Sequence, residues 1–347
     1  MAIKNKYITS LAFLTLIVQM FKKLLKTSLV LAFIVVILGA YTRLGDAGLG
    51  CPDWPTCYGH LIVPDHVDGT KIEGYERPLE ATKGWKEMLH RYAASLLGLA
   101  ILVLFFLAIK RKTGRPQSLG LPAFTALFVM LQGAFGMWTV TLLVHPGIVT
   151  THLIGGFVTT ALLTWLLLNQ GNPSITYRHI LKRHKLLLII TLFILSVQII
   201  LGGWTSTNYA ALSCGEEFPK CLGSWWPTMD FINALHWGPI GVEHNYEYGI
   251  LENPARAGIQ MMHRIGALIT TLFTITLIYS FKVYPHLKGN LAMIGSLLAI
   301  QIILGILNVV WSIPMAIATL HNTVALLLLL SIITLIHKVF KPPLSQH

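Results

Sequence analysis

Charge is scarce in this chain of 347 residues: only 12% are Asp, Glu, Lys or Arg, about half the roughly 25% of an ordinary soluble domain. Beside a hydrophobic content of 54%, that excludes a soluble enzyme. Acid is scarcer than base, 14 residues against 26, and most of the chain has none. Every Asp and Glu lies between Asp46 and Glu87 or between Glu216 and Glu252. Cysteine is limited to Cys51, Cys57, Cys214 and Cys221, all within those same two stretches. The basic residues fall mostly in short runs, such as Lys22-Lys23, Lys110-Arg111-Lys112 and Lys182-Arg183. None carries the interleaved aromatics of a nucleic-acid groove, so the net charge of +12 does not indicate nucleic acid as a partner.

What the chain does have is long apolar runs. A membrane-spanning helix needs about 20 mostly apolar residues, and windows of that kind occur at 24–42, 88–109, 119–143, 148–168, 186–206, 257–281, 289–311 and 315–337. The expected fold class is therefore all-α, a polytopic protein of the lipid bilayer with eight transmembrane helices. The Lys/Arg runs put both termini in the cytoplasm and the acidic loops, 43–87 and 207–256, on the far side of a cell inner membrane. The connections near Leu143–Gly147 and Ser312–Pro314 are so short that spans three and four, and seven and eight, must be tight antiparallel hairpins. Tyr7–Met20 is apolar but shorter than a span. It reads as an interfacial helix or as sequence upstream of a translation start at Met20 rather than Met1, with the first full span an uncleaved anchor.

The two halves repeat one another. Ile37-Leu38-Gly39-Ala40-Tyr41-Thr42 with Cys51 and Cys57 is answered by Ile200-Leu201-Gly202-Gly203-Trp204-Thr205 with Cys214 and Cys221. Met88-Leu89-His90-Arg91 is answered by Met261-Met262-His263-Arg264, His152 by His321, and, more loosely, Gln132 by Gln301. A duplicated unit of four spans enters the membrane twice in the same orientation, so two four-helix bundles related by a pseudo-twofold axis along the membrane normal are expected. The boundaries expected are an N-terminal extension at 1–23, a first bundle at 24–170, a cytoplasmic linker at 171–185, a second bundle at 186–338 and a tail at 339–347.

His90, His152, His263 and His321 stand at the far-side ends of spans two, four, six and eight, two in each half. A single intramembrane histidine can be a helix–helix hydrogen bonder. Four at equal depth, in duplicate, point to ligation, and two imidazoles facing each other across a bundle are the requirement for bis-histidine haem. Zinc or copper would ask for three or four ligands at one point. Arg91 and Arg264 each follow a histidine and are candidate contacts for haem propionates. Symmetry breaks at one informative place: Glu87, one turn before His90, is matched by Gln260. A carboxylate at one of two similar sites suits proton-coupled chemistry there and electron passage at the other. The close cysteine pairs read as two local disulfides, structural or redox-active. A Cys-x5-Cys-x2-His metal site using His60 would have no counterpart in the second loop.

Together these residues resemble the haem A synthases of bacteria and mitochondria. The resemblance runs from about Leu24 to His337. It rests on Gly39-Ala40-Tyr41-Thr42-Arg43-Leu44, Gly48-Leu49, Trp54-Pro55, Glu87-x-x-His90-Arg91, Gln132-Gly133-x-x-Gly136-x-x-Thr139-Val140 and His152-Leu153. In the second half it rests on Gly202 to Asn208, Cys214 with Cys221, His263-Arg264 and His321. It implies oxidation of the C8 methyl of haem O to a formyl group, giving haem A for haem-copper terminal oxidases. It also implies the substrate haem on His90 and His152, a haem b iron on His263 and His321, catalysis by Glu87, and disulfides joining Cys51 to Cys57 and Cys214 to Cys221. A transient complex with the enzyme supplying haem O is expected, because that substrate is poorly soluble, and a homo-oligomer is compatible with the pattern. The alternatives are a diheme b-type electron-transfer cytochrome, with haem b in both sites, and a duplicated transporter with histidines on a proton path.

Overall fold

The computed structural model describes residues 2–66, 78–111, 118–171, 180–239 and 245–340. The basic residues Lys112, Arg115, Arg178 and Lys341, the acidic residues Asp68, Glu73, Glu76 and Glu243, and Met1 lie outside them. Eight helices are long and apolar enough to cross a membrane. They are α1 (Ala2–Leu44), α2 (Ala81–Lys110), α3 (Gly120–Thr141), α4 (Pro146–Asn169), α5 (Lys182–Thr207), α7 (Asn253–Phe281), α8 (Lys288–Val310) and α9 (Met315–Phe340). A one-turn helix, α6 (Phe231–Ala234), lies in the loop between α5 and α7. The protein is a multi-pass membrane protein, and no strand occurs among the described residues.

Two helices, α1 and α2, extend furthest beyond their predicted spans. The interfacial segment expected at Tyr7–Met20 is not separate: α1 runs unbroken for 43 residues. Lys22, Lys23 and Lys26 are good helix formers and do not interrupt it. Helix α2 starts at Ala81, because Lys83, Lys86 and Glu87 lower the hydropathy of its first turns without breaking their helical geometry. His90 therefore sits well inside a helix.

Helix neighbours form two rings. α1 packs on α2 and α4, and α3 packs on α2 and α4; α5 packs on α7 and α9, and α8 packs on α7 and α9. The rings meet where α4 touches α5 and α9 and where α1 touches α9. Exchanging the halves maps this seam onto itself, as a pseudo-twofold axis requires. The repeat extends to the helix ends. After α3, Leu143 and Val144 take left-handed φ values of 51° and 53°, and after α8, Ser312 and Ile313 take 54° and 56°. In both turns an amide returns 2.8 Å to a carbonyl inside the helix, Val144 N to Thr139 O and Ile313 N to Asn308 O. The two hairpins thus close by one mechanism, which satisfies helix-end carbonyls.

The seam is polar at both ends and apolar between. At the end bearing the disulfide loops, Arg43 donates to the Ser206 carbonyl (2.5 Å) and stacks on the Tyr209 ring (4.2 Å to the centroid). Tyr209 in turn donates to Asp46 Oδ1 (2.9 Å). Deeper, Thr150 and Thr207 share a hydroxyl hydrogen bond of 3.1 Å. At the opposite end the His337 ring lies 2.9 Å from Asn169 Oδ1. Between them Phe157, Leu326 and Ile332 belong to one apolar core. Gly203 lets α5 approach α4: a Cβ there would lie 3.0 Å from Leu153 Cδ2 and 3.1 Å from Thr150 Cγ2. Gly203→Leu should overpack this contact and cost about 1–3 kcal/mol, read as a lower unfolding midpoint in detergent.

Candidate functional site

Each of the four repeat-matched histidines faces a glycine on the preceding helix of the bundle. Ideal Cβ atoms built on Gly39, Gly136, Gly202 and Gly305 would lie 2.9, 3.2, 3.1 and 3.1 Å from Cε1 of His90, His152, His263 and His321 respectively. Any larger residue would push the imidazole away, so the glycines set ring position. In the first bundle α2 and α4 stand diagonally across the ring of helices. Their histidines meet in its middle, with ring centroids 6.3 Å apart and planes at 89°. His263 and His321 occupy the equivalent helices α7 and α9 of the second bundle.

Glutamines reach three of the four rings. Gln132 Nε2 lies 3.1 Å from His152 Nδ1, Gln198 Nε2 lies 3.0 Å from His263 Nδ1, and Gln301 Nε2 lies 3.2 Å from His321 Nε2. Nδ1 of His90 is buried without a hydrogen-bond partner.

Glu87 is 4% exposed, so it is not a solvated residue at the end of a span. Its Oε2 accepts the Cys51 amide at 2.9 Å, and its Oε1 accepts Arg91 at 2.5 Å. The opposite nitrogen of Arg91 donates to the carbonyls of Pro55 (3.3 Å) and Thr56 (2.7 Å). Cys51 and Cys57 are joined, as are Cys214 and Cys221, which removes the thiolates that a metal site with His60 would need. In the second half Arg264 donates to the carbonyls of Glu217 (3.0 Å), Pro219 (3.2 Å) and Lys220 (2.8 Å). Gln260, also 4% exposed, leaves its buried Oε1 without a partner. Both arginines, expected as propionate contacts, thus hold a disulfide loop by its main chain.

The loops are further braced by acids of matching position. Asp53 accepts the amides of Tyr58 (2.6 Å) and Gly59 (2.9 Å) and the Thr56 hydroxyl. Burial alone would raise its pKa, but these hydrogen bonds outweigh burial and hold the carboxyl below its ordinary value. Glu217 does the same for the Gly223 amide at 2.7 Å.

The COX15-CtaA family, described as "Cytochrome oxidase assembly protein", matches residues 22–333. The chain belongs to this family. Family members similar to it include a protein of Shewanella oneidensis named Heme A synthase, 42% identical over 317 residues that cover 90% of this chain and 94% of the relative. Proteins of the same name from Halalkalibacterium halodurans and Neorickettsia sennetsu are each 25% identical, covering 74% and 88% of this chain and 74% and 94% of their own lengths. The family match begins near the middle of α1.

Of the residues singled out in the sequence, His90 and His152 come together, and Glu87, Arg91 and the Cys51–Cys57 loop form one connected unit. The glutamines at the rings were harder to find. Gln132 is visible in the repeat, but Gln198 is matched by Val35 and leaves no repeat signal. The Glu87–Arg91 pair predicts a graded response. Arg91→Leu strands a buried carboxylate and should cost about 3–5 kcal/mol, whereas Arg264→Leu beside neutral Gln260 should cost less. Unfolding midpoints in one detergent test this, and the double variant Glu87→Gln/Arg91→Leu should recover most of the loss.

Proposed function

We propose that this protein is a haem A synthase, oxidising the C8 methyl of haem O to a formyl group by successive hydroxylations. The reading is carried by the combination of two equivalent histidine pairs with a buried carboxylate at only one of them. The residues suit haem. Two metal–imidazole bonds of about 2.0–2.1 Å to one ion put the ring centroids roughly 6 Å apart, which is near the 6.3 Å between His90 and His152. No group of three or more His, Cys, Asp or Glu able to hold a metal ion occurs among the described residues, so a two-ligand haem site fits better than a zinc site.

His90 and His152 would hold the substrate haem, and His263 and His321 a haem b. A resident haem b supplies one-electron redox chemistry. The chain's own residues orient the reacting groups and take up a proton. The glycines opposite the histidines fix the rings. Arg91 and the Cys51 amide hold both oxygens of Glu87 in place, and the carboxylate can accept a proton from the reacting methyl group or orient a water toward it. Gln260 is isosteric with Glu87 but cannot take up a proton, so the second pair lacks that capacity. The basic runs at one end favour both termini in the cytoplasm of a cell with the disulfide loops outside. Haem O is farnesylated and poorly soluble, which favours direct transfer from its synthase.

The test is extraction and mass-resolved chromatography of the haems from protein expressed with a haem O source in a host that makes no haem A. Haem A or a hydroxylated intermediate beside haem b is expected; haem b alone in both sites would instead establish an electron-transfer cytochrome. Glu87→Gln should retain both haems while haem A falls below detection. His263→Ala should lose haem b and keep the first-site haem, as read from the pyridine haemochrome spectrum.

A further inference from the structure

The two disulfide loops share a feature that their own packing does not account for. Each turns large apolar side chains to the surroundings, and at matching places of the repeat: Trp54, Leu61 and Ile62 on the first loop, Phe218, Trp225 and Trp226 on the second. Leu61 and Ile62 are 73% and 63% exposed, and Trp225 and Trp226 are 66% and 63% exposed. The residue types differ between the copies, yet the apolar character is the same. The next residue in the first loop, Val63, is buried with Cys51, Cys57 and Met88 in one small core. The chain therefore tucks in Val63 while holding Leu61 and Ile62 out.

The depth of these tips follows from their partners. Tyr92, in the first turns of the apolar run at 88–109, donates its hydroxyl to the Leu61 carbonyl. It belongs to a stripe of exposed side chains, with Leu89, Leu96, Leu99 and Phe106, at the three- and four-residue spacing of one helix face. In a spanning helix that face meets lipid. The first tip thus lies beside α2, at the head of its lipid-facing stripe, and not above the helix end. On α7 the equivalent stripe is Ile265, Leu268, Leu272, Ile275 and Tyr279, and at its head the Arg264 guanidinium lies 5.8 Å from the Phe218 ring centroid. Helix α6 is fixed at the same level. The Trp204 indole donates to the Ala234 carbonyl at 2.8 Å, and a Cβ on Gly258 would lie 3.4 Å from Ala234 Cβ and 3.5 Å from Phe231 Cδ1. Trp204 and Gly258 both fall inside apolar runs, 186–206 and 257–281, so Ile232, 88% exposed, stands out from α6 at the edge of the spans.

Whatever covers the tips must be present at both. The seam between the halves is made by α1, α4, α5 and α9, which leaves α2 and α7 on separate flanks. A single protein partner meets one flank, whereas a bilayer surrounds both. Exposed apolar patches of this kind mark protein or membrane contact, and Trp is favoured at headgroup level. We propose that each disulfide loop seats its apolar tip in the interfacial layer of the adjoining leaflet, Leu61 and Ile62 beside α2, and Trp225 and Trp226 with α6 beside α7. The seat is apolar and not electrostatic, because the loops hold all the acids of the chain; zwitterionic lipid suffices. Arg91 and Arg264 grip the same loops by their main chain, so each loop is held between an arginine and the bilayer.

The test uses full-length protein in phosphatidylcholine nanodiscs. All four cysteines are in disulfides, so Ile62→Cys, Trp226→Cys and, as an aqueous reference at an exposed acid, Asp65→Cys each supply one free thiol for a nitroxide label. In power-saturation electron paramagnetic resonance, labels at positions 62 and 226 should be relaxed more by oxygen, which partitions into lipid, than by a water-soluble nickel chelate. The label at position 65 should show the reverse. Preference for the chelate at either 62 or 226 would overturn the proposal and leave the tips as a surface for protein. A second measurement needs no label. The fraction of native tryptophan fluorescence quenched by phosphatidylcholine brominated near the headgroup end of its chains should fall in Trp225→Ser/Trp226→Ser, and an unchanged or larger fraction would overturn the seat at α7.

Discussion

An imidazole inside a bundle of apolar helices needs space that the helix opposite must give up. Each histidine obtains it from one glycine, close enough that a methyl group would touch the ring. A helical glycine costs about 1 kcal/mol relative to alanine, so four of them are a standing expense in stability. The bundle accepts it at four matched points, which fixes the relative height of α1 and α2, α3 and α4, α5 and α7, and α8 and α9. Ring position, helix register and the spacing of the two imidazoles in a pair are consequences of one steric relation.

That relation explains which parts were legible in the sequence. The spans, the hairpins and the duplication could be read because hydropathy and repeated motifs are local signals. Gly39 and Gly202 stood in matching motifs, yet their role could not be seen, since it depends on a helix many residues away. The start of α2 was hidden by Lys83, Lys86 and Glu87: polarity marks the end of the apolar run, whereas helical geometry continues past it. Lys22 and Lys23 obscured the continuity of α1 in the same manner. The role of Arg91 was hidden for another reason. Its position next to His90 is visible, but its partners are main-chain carbonyls at Pro55 and Thr56, which carry no side-chain signature.

The difference between the halves is concentrated in a few buried side chains. Glu87 against Gln260 changes whether a proton can be held, with almost no change of shape. Its carboxylate is joined through the Cys51 amide and Arg91 to the disulfide loop, so the loop above the first histidine pair and the acid beneath it are mechanically one piece. In the second half Arg264 holds the loop with no acid joined to it, and Gln260 stands apart with an unpaired oxygen. The same scaffold therefore supports one site in which loop and acid respond together and another in which they do not.

Two contacts at the seam join residues 163 positions apart, Arg43 with Ser206 and Tyr209 with Asp46. That interval is the one separating Gly39 from Gly202, so each contact joins equivalent places of the two copies and must lie on the pseudo-twofold axis. In a true homodimer the axis brings every such residue against itself. Arginine would face arginine and aspartate would face aspartate. Covalent fusion removes the constraint that both sides be the same, and the axis here carries a cation against a carbonyl and a phenol against a carboxylate. These polar contacts between the halves are thus ones that two identical chains related by the axis could not have made.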